Sequence, residues 1–370
     1  MKILILAQLV TYSGVGTYIK QLSEQLAMSG DEVYILSSKY DLSLDSQISC
    51  HKFLPLTKSN IAKNYKIFKD IVESNKIDVV HIQHRIVGIY PAIYNLCNHK
   101  IPCTYILHTA KLEQNNFIKR LLTYTGQRAI SISTEVEECL IKQLKINKDK
   151  ISKVYNGVDR TKLTPWTTQH KNEERLKLGI NSQCKVIGVH GRIDHVKGHD
   201  ILIEAISDMD ETTKSKLHVV VSGSIENNVY YRTIKAKIDE LGLSPMFTFV
   251  GWVEPQYLLG LSDLMVAPSR REGFPLSAIE AFFMKVPVIR TRTGGYIDMQ
   301  DYCIGIDVDS SAQLKDEILR FIVKQDLGHT DYSELAERAY DFANNNCSIE
   351  IMTSNTRKIF EEILYENKKS

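Results

Sequence analysis

The chain has 370 residues, of which 43% are hydrophobic and 24% are charged, and its formal net charge is +2. This length and composition indicate an ordinary globular protein with two domains. No apolar run reaches the length of about 18 residues that a membrane-spanning helix needs. The apolar run within residues 1–7 is too short for a signal peptide and lacks its flanks. We therefore expect a cytoplasmic protein without a membrane span.

The charge is divided unevenly along the chain. Residues 1–165 contain 22 Lys and Arg against 14 Asp and Glu, whereas the remainder contains 24 against 30. A basic first half suits a domain that meets an anionic partner, although solvated lysines would give the same count. The seven cysteines are scattered without a Cys-x-x-Cys pair. They predict neither a disulfide framework nor a zinc site, and we expect reduced core residues.

Short apolar runs alternate with longer helical patterns in both halves, which is typical of parallel sheets covered by helices. The strands predicted in the first half are 3–7, 33–37, 79–82, 104–107, 130–133 and 152–155. The strands predicted in the second half are 185–190, 217–221, 247–250, 264–267, 286–290 and 304–308. Each half therefore predicts its own doubly wound domain.

A proline and a run of polar residues interrupt the pattern at 159–170. We place an N-terminal Rossmann-like domain at 1–165 and a C-terminal one at 166–347. Residues 348–370 have apolar residues at helical spacing, and Ser348 is a plausible N-cap. The chain therefore ends, by this prediction, in one long helix.

Two carboxylates flank a turn that opens a helix in the second half. Glu272 and Glu280 stand either side of a Gly-Phe-Pro turn, directly after the predicted strand at 264–267. Pro275 suits a first helical turn, and a helix start favours an anion such as a diphosphate. Glu272 can then accept sugar hydroxyls, and Glu280 can accept two hydroxyls of a ribose. The N–H groups expected to point at the anion belong to Gly273, Phe274, Leu276 and Ser277.

This segment, with its Glu-x7-Glu spacing inside PSxxEGFPLxxIEA, resembles the signature of retaining glycosyltransferase family 4. The resemblance implies the α/β GT-B fold, in which two doubly wound Rossmann-like domains face each other across a cleft and a C-terminal helix returns to the first domain. It implies a retaining, metal-independent, hexosyltransferase-type enzyme without a cofactor. Its substrates would be a nucleoside diphosphate sugar and an acceptor hydroxyl.

Two cations follow the predicted strand at 185–190. Arg192 offers a planar fork of donors and Lys197 a point charge, and both can neutralise a departing diphosphate. Their segment, Gly191 to Gly198, is similar to the family motif GRxxxxKG. Ser224 lies in a segment that resembles the family's turn beside the nucleotide. Trp252 and Val253 lie in a segment that resembles FVGWV, whose backbone amides would read the base.

A glycine loop follows the first predicted strand. Gly14 and Gly16 let the backbone approach a ligand closely, just before a helix predicted at 15–28. A dinucleotide fingerprint would need glycine where Ile19 stands, which disfavours a Rossmann dehydrogenase. The loop resembles the family's N-terminal glycine loop between donor diphosphate and acceptor, with Ser13 on the acceptor side.

Three histidines stand at the ends of first-half strands. His108 resembles the family's HT position facing the donor sugar, which implies a positional role for its backbone carbonyl or its ring. His84 is placed on the acceptor side, whereas a structural role is the better hypothesis for His81. A zinc site built from all three lacks a spacing signature, and we reject it.

Two further segments resemble family loops. Residues 156–159 are similar to an NGVD motif at the domain junction, with a structural role. Residues 293–295 resemble the loop closing over the diphosphate, but the family's following Pro-Glu is replaced by Ile297 and Asp298.

Alternatives and partners remain open at this point. A sugar-nucleotide 2-epimerase shares the GT-B architecture, and a non-catalytic sugar-nucleotide-binding subunit would keep the same motifs. We favour a UDP-sugar donor and a sugar or lipid-linked acceptor in bacterial surface polysaccharide or glycolipid assembly. The basic stretches 58–69 and 111–122 suit a peripheral contact with an anionic membrane, or helices packed on their own sheet. No nucleic-acid partner is expected.

Overall fold

The structure is a computed structural model that describes residues 1–97, 100–112, 120, 123–225 and 227–369. The chain forms two compact units, Met1–Gly157 with Ser348–Ser370, and Val158–Cys347. The first stretch of unit 1 ends at Gly157 rather than at residue 165. The reason is that the Val158 N–H donates to the Cys347 carbonyl at 2.9 Å, which ties the following turn to unit 2.

Unit 1 contains a seven-stranded parallel sheet in the order β5-β3-β1-β6-β7-β8-β9, and a separate short pair, β2 and β4. The strands are β1 Lys2–Leu6, β2 Leu9–Val10, β3 Glu32–Ser37, β4 Lys39–Tyr40, β5 Ser49–Lys52, β6 Val79–Ile82, β7 Cys103–Leu107, β8 Arg128–Ser131 and β9 Ile151–Lys153. The described α-helices of unit 1 are Gly14–Met28, Ile61–Asn75, Ile89–Leu96, Thr134–Lys142 and Ile349–Lys369.

Unit 2 contains a six-stranded parallel sheet in the order β12-β11-β10-β13-β14-β15. The strands are β10 Lys185–His190, β11 Leu217–Ser222, β12 Phe247–Gly251, β13 Leu264–Ala267, β14 Val288–Thr291 and β15 Ile304–Ile306. The described α-helices are Thr168–Lys177, His199–Ser207, Glu211–Lys214, Asn228–Glu240, Pro255–Leu261, Leu276–Phe283, Tyr296–Met299, Ser311–Asp326 and Asp331–Asn346. Short 3₁₀ turns of the two units lie at Lys58–Asn60, Arg85–Gly88, Lys148–Lys150, Arg160–Lys162, His195–Lys197 and Ser244–Met246.

The predicted α/β class and the doubly wound sheets are confirmed. Every predicted strand occurs, and no strand end moves by more than two residues. The sequence analysis missed β5 because its residues, Ser49–Lys52, are mostly exposed and polar at a sheet edge, so no apolar alternation marks it. The cysteine prediction was wrong at two positions, since Cys50 and Cys97 are exposed rather than in a core.

The final helix belongs to unit 1, as the sequence predicted. It begins after Ser348, whose Oγ accepts the Ile351 N–H at 3.3 Å and caps the helix. Phe360 is fully buried and meets His81 edge-on, with 5.3 Å between ring centroids. An ion pair of 3.0 Å joins Arg357 Nε to Asp31. Apolar burial and this ion pair together dock the helix.

The strand order reverses between β1 and β6 in unit 1, and between β10 and β13 in unit 2. In doubly wound sheets a ligand binds outside the carboxyl ends of the strands at such a reversal. The glycine loop and His84 follow β1 and β6, and the Lys197 and Glu272 loops follow β10 and β13. Each unit therefore brings its candidate residues to its own reversal point. In the part of the chain that the structure describes, we find no helix whose length and apolar character would let it span a membrane.

Candidate active site

A lysine and a glutamate meet at the reversal point of unit 2. The Lys197 Nζ lies 2.7 Å from the Glu272 Oε1, and the two side chains are 21% and 15% exposed. The residues come from the loops after β10 and β13, which are paired in the sheet. Because parallel strands end at the same edge, residues that are far apart in sequence become neighbours here.

Glycines allow these two loops to pack closely. Gly198 has a φ of +70°, and a Cβ there would lie 2.1 Å from the Pro268 carbonyl oxygen. The Asp194 carboxylate caps the short turn by accepting the Lys197 N–H at 3.1 Å. A larger residue at 198 would push the loops apart, and the Lys197 side chain would lose its place beside Glu272.

Arg192 is not brought to this pair. Its Nη2 lies 3.1 Å from the Asp194 Oδ2. The structure therefore places Arg192 in a local ion pair at the surface, whereas Lys197 points to Glu272. The expectation that both cations neutralise a diphosphate stays a prediction.

The environment of Glu272 favours its ionised form. Burial alone would raise the pKa of Glu272, but the Lys197 charge and hydrogen bond, the Ser269 hydroxyl and the Arg290 charge lower it overall. Glu272 is therefore an anion at neutral pH, ready to accept hydrogen bonds from hydroxyl groups.

Glu280 has the opposite electrostatic character. Burial and the charge of Glu254 raise the pKa of Glu280 to about 7, against the attraction of Lys197. Glu280 lies in the helix Leu276–Phe283, and Pro275 is the N-cap of that helix rather than its first residue. The Leu276 and Ser277 N–H groups begin the helix and have no intrahelical acceptor. The helix thus presents a positive end near Glu272 and a carboxyl group that titrates near neutrality.

An ion-pair network that the sequence analysis missed holds the two loops together. Arg270 donates two hydrogen bonds to Asp200, at 2.9 and 2.7 Å, and one to the His195 carbonyl at 2.7 Å. The Arg270 N–H also donates to the Val196 carbonyl at 2.7 Å. The Tyr230 hydroxyl adds a bond of 2.7 Å to Asp200. The position of Arg270, two residues before Glu272, was the available sequence signal.

A second missed residue is Arg290, which is almost fully buried at the end of the β14 run. Its Nη2 donates to the Gly294 carbonyl at 2.8 Å and to the Thr293 carbonyl at 3.2 Å. A Cβ on Gly295 would lie 2.9 Å from the Phe274 ring. Arg290 therefore fixes the 293–295 loop against the turn after Glu272. An arginine inside an apolar strand pattern was its sequence signal.

The segment after β12 contacts the end of β11. The Val253 N–H donates to the Ser222 Oγ at 3.3 Å. Trp252 is 56% exposed beside it. The Ser224 carbonyl accepts the Ile193 N–H at 2.8 Å, which joins the β11 turn to the Arg192 loop.

In unit 1 the glycine loop is built as a helix start. The Ser13 Oγ accepts the Gly16 N–H at 3.1 Å and caps the helix that begins at Gly14. A Cβ on Gly16 would lie 1.9 Å from the Thr11 carbonyl oxygen, whereas nothing lies within 4 Å of a Cβ on Gly14. Gly16 is thus required by packing, and Gly14 faces open space.

The three histidines of unit 1 have different roles. His81 is buried, with Nδ1 2.8 Å from the Thr104 hydroxyl, which fits the structural role expected for it. The His84 Nδ1 accepts the Gln8 N–H at 3.1 Å, and the His108 Nε2 lies 2.9 Å from the Gln83 Oε1. Burial lowers the pKa of His84 to about 4, and burial with the two other histidines lowers that of His108 to about 3. All three rings are neutral at physiological pH. Within the described residues, no cluster of three or more His, Cys, Asp or Glu is arranged to hold a metal ion.

Comparison with known families decides the identity of this architecture. Residues 12–162 match the family described as Glycosyltransferase Family 4, and residues 170–341 match Glycosyl transferases group 1. The chain belongs to the group 1 glycosyltransferases of the family 4 type. The resemblance stated from the sequence motifs is thereby confirmed.

Curated relatives of this glycosyltransferase agree with the family. An uncharacterized glycosyltransferase of Methanocaldococcus jannaschii is 24% identical over 317 residues, which are 77% of this chain and 78% of the relative. The D-inositol 3-phosphate glycosyltransferase of Corynebacterium jeikeium is 33% identical over 145 residues, which are 38% of this chain and 35% of the relative. The second match therefore spans only about a third of each protein.

Solved structures show the fold of this glycosyltransferase. A glycosyltransferase from Rickettsia africae has a TM-score of 0.84 and 21% identity, with 98% of each chain covered. The Anabaena HepE protein in complex with UDP-glucose has a TM-score of 0.80 and 17% identity, over 98% of this chain and 100% of that one. The predicted GT-B fold is confirmed.

Proposed function

We propose that this glycosyltransferase moves a sugar from a nucleoside diphosphate sugar, with UDP as the favoured nucleotide, to an acceptor hydroxyl. The observation that carries the proposal is the contact of 2.7 Å between Lys197 and Glu272 at the reversal point of unit 2. A cation, which suits a phosphate, and an ionised carboxylate, which suits hydroxyls, lie side by side there and support the proposal. The complex of Anabaena HepE with UDP-glucose supports the choice of donor.

Each donor contact in this proposal has a chemical reason. Lys197 and Arg192 neutralise the diphosphate, and the start of the helix Leu276–Phe283 adds its N–H groups. Glu272 accepts hydroxyls of the transferred sugar, and ionised Glu280 accepts those of the ribose. Other proposed donor-binding residues are Gly14, Gly16, Gly191, Ser224, Trp252, Val253, Gly273, Phe274, Pro275 and Leu276.

We propose retention of anomeric configuration by front-face substitution. A covalent double displacement needs a carboxylate as nucleophile. In this proposal neither glutamate is available for that task, because Glu272 pairs with Lys197 and Glu280 binds the ribose. In the proposed step the bond from C1 to the phosphate oxygen breaks, and the acceptor oxygen bonds to C1 on the same face. The acceptor proton moves to the departing phosphate oxygen. Lys197 and Arg192 supply the positive charge that stabilises this phosphate, so the proposal needs no metal or other cofactor.

The acceptor is proposed to belong to bacterial surface polysaccharide or glycolipid assembly, with His84 and Ser13 on the acceptor side and His108 near the reacting sugar. The basic first half of the chain supports an anionic acceptor or membrane surface. Of the two basic stretches, 111–122 lies mostly outside the described residues. In the other, the helix Ile61–Asn75 buries Phe68 in its own unit and exposes Lys63 and Lys66, which are the charges proposed to meet an anionic surface.

A transfer assay tests the proposal. Purified protein is incubated with ¹³C-labelled UDP-, GDP- and ADP-sugars, with and without sugar and inositol phosphate acceptors, and the products are followed by NMR. We expect acceptor-dependent product whose anomeric configuration equals that of the donor. Inversion would overturn the mechanism. An epimerised nucleotide sugar without acceptor would identify a 2-epimerase, and donor binding without any turnover would identify a non-catalytic subunit.

A further inference from the structure

A buried glutamine stands behind the histidine at the end of β7. Gln83 directly follows β6 and is 3% exposed, and its N–H donates to the Leu6 carbonyl at 2.9 Å. Its side-chain Oε1 lies 2.9 Å from the His108 Nε2. Its Nε2 is buried and has no hydrogen-bond partner. One end of the amide is therefore used, and the other is not.

An arrangement of this kind is costly in a folded protein. A buried donor without an acceptor loses its bonds to water and gains none in return. A methionine of similar volume would fill the same space without that cost. The glutamine is thus explained by what its oxygen does for His108 rather than by packing.

The oxygen determines which ring nitrogen of His108 carries the proton. A carbonyl oxygen only accepts, so the contact with Oε1 places the hydrogen of the neutral ring on Nε2. The other nitrogen, Nδ1, then keeps its lone pair and accepts hydrogen bonds. The ring is held in place from the side by Tyr18, which meets it edge-on with centroids 5.0 Å apart.

His84 has the same tautomer, but the nitrogen engaged within the protein is the other one. Its Nδ1 accepts the Gln8 N–H at 3.1 Å, so its proton lies on Nε2. The titratable groups that act on His108 are His84 and His81, and burial keeps both neutral. Unit 1 therefore offers a histidine acceptor after β7 and a histidine donor after the neighbouring strand β6. This combination suits sugar hydroxyls, since each hydroxyl both donates and accepts.

We propose that Gln83 is a positioning residue that fixes His108 as the Nε2–H tautomer, so that Nδ1 accepts a hydrogen bond from a hydroxyl of the transferred sugar. The identity of the ligand rests on the proposed function, whereas the tautomer does not.

The test compares wild type with Gln83→Met and Gln83→Glu by long-range ¹⁵N–¹H NMR of the histidine rings, with His108 assigned from a His108→Asn variant. We expect the Nε2–H tautomer in wild type and a mixture in Gln83→Met, with an unchanged or higher Tm. In Gln83→Glu the carboxylate should move the titration of His108 toward neutral pH. An Nδ1–H ring in wild type, or an unaltered tautomer in Gln83→Met, would overturn the proposal.

The matched control is Gln127, whose Oε1 accepts the Cys103 N–H at 2.7 Å in the same sheet. Gln127→Met should lower Tm and leave the His108 tautomer unchanged. In the transfer assay, Gln83→Met should lose about tenfold in kcat, the effect of one hydrogen bond. A tautomer change with wild-type kcat would remove the role toward sugar and leave the proposed transfer intact. A fixed tautomer in a protein that turns over no donor would instead count against the proposed function.

Discussion

The Lys197 Nζ lies 2.7 Å from the Glu272 Oε1, although 75 residues separate them in the chain. Each residue partly neutralises the other, so neither charge is buried alone. In the proposed function both gain new partners when the donor binds: Lys197 gains a phosphate and Glu272 gains sugar hydroxyls. The two charges that this contact brings together are therefore the ones that the proposed transfer step uses.

Replacement of Lys197 by Met should cut kcat by about 10²–10³, the usual effect of removing one preorganised group that stabilises developing charge. The fold should be retained, because the methionine keeps the packed stem. The matched control is Lys216→Met, which breaks an exposed pair of 2.8 Å with Asp326 in the same unit. The control should keep wild-type kcat. Steady-state kinetics with circular dichroism decide the point, and near wild-type turnover in Lys197→Met would refute the role.

Donor affinity should depend on the protonation of Glu280. The pKa of Glu280 is raised from 4.5 to about 7, so the carboxylate that accepts ribose hydroxyls is lost as the pH falls through 7. Titration calorimetry with UDP should show Kd weakening from pH 8 to pH 6. Glu280→Gln should bind weakly at all pH values, and Glu240→Gln, at an exposed helix end, should behave as wild type. A Kd independent of pH in wild type would contradict this role.

The raised pKa of Glu280 also predicts how the stability of the protein depends on pH. A glutamate whose folded pKa is raised above its unfolded value stabilises the protein below about pH 4.5, and this contribution is lost as the pH rises through about 7. Glu280→Gln should therefore have a higher Tm than wild type at pH 8 and a similar Tm at pH 5. Thermal unfolding at the two pH values checks it, and equal differences in Tm at both would show that the ionisation of Glu280 does not matter.

Arg270→Ala should destabilise unit 2 and also impair catalysis. Arg270 hydrogen-bonds both to Asp200 and to the turn that carries Lys197, so its loss should loosen that turn. Loss of charge-assisted hydrogen bonds of this kind costs about 2 kcal/mol. Burial alone would raise the pKa of Asp200, but Arg270 and Tyr230 lower it to about 2. The lowered pKa contributes stability above about pH 4 that is lost as the pH falls toward 2.

Urea unfolding at pH 7 and pH 3 separates these effects. The difference in stability between wild type and Arg270→Ala should shrink at pH 3. The control is Asp309→Ala, which removes the exposed partner of Arg270 at 2.6 Å and should change stability by less than about 1 kcal/mol. A large loss of stability in Asp309→Ala, together with no loss in Arg270→Ala, would contradict this account of the network.

Gly14 and Gly16 should respond differently to alanine. Gly16→Ala places a Cβ 1.9 Å from the Thr11 carbonyl oxygen and should destabilise unit 1. The cost of such overpacking is about 1–3 kcal/mol. Gly14→Ala meets nothing within 4 Å and should keep the wild-type Tm. If a ligand approaches this loop closely, Gly14→Ala will raise KM all the same; unchanged KM and kcat would remove Gly14 from the donor site.

The sequence predicted the sheets well because their strands are apolar runs buried on both faces, as at β1 and β10. It missed β5, where Ser49–Lys52 carry no apolar alternation. It also predicted Lys197 and Glu272 as site residues from their place at strand ends. It did not predict that they contact each other, because side-chain pairing depends on loop geometry set by Gly198.

Other site features depend on contacts that no local pattern contains. Arg192 forms an ion pair with Asp194, two residues further along its own loop. Arg270 and Arg290 act by reaching backbone carbonyls of distant loops, such as His195 and Gly294. The role of Gln83 requires the position of His108 on another strand, which only the register of the sheet supplies.

The most direct test of the central claim is a thermal-shift panel of UDP-, GDP- and ADP-sugars with wild type and Glu280→Ala. A ligand that binds only the folded state raises Tm by mass action. At a concentration of a hundred times Kd it adds about 2.7 kcal/mol to the free energy of unfolding. We predict that UDP-sugars raise the Tm of wild type and that the shift vanishes in Glu280→Ala. No shift with any of the nucleotide sugars would contradict the proposal that this protein uses a nucleoside diphosphate sugar as donor.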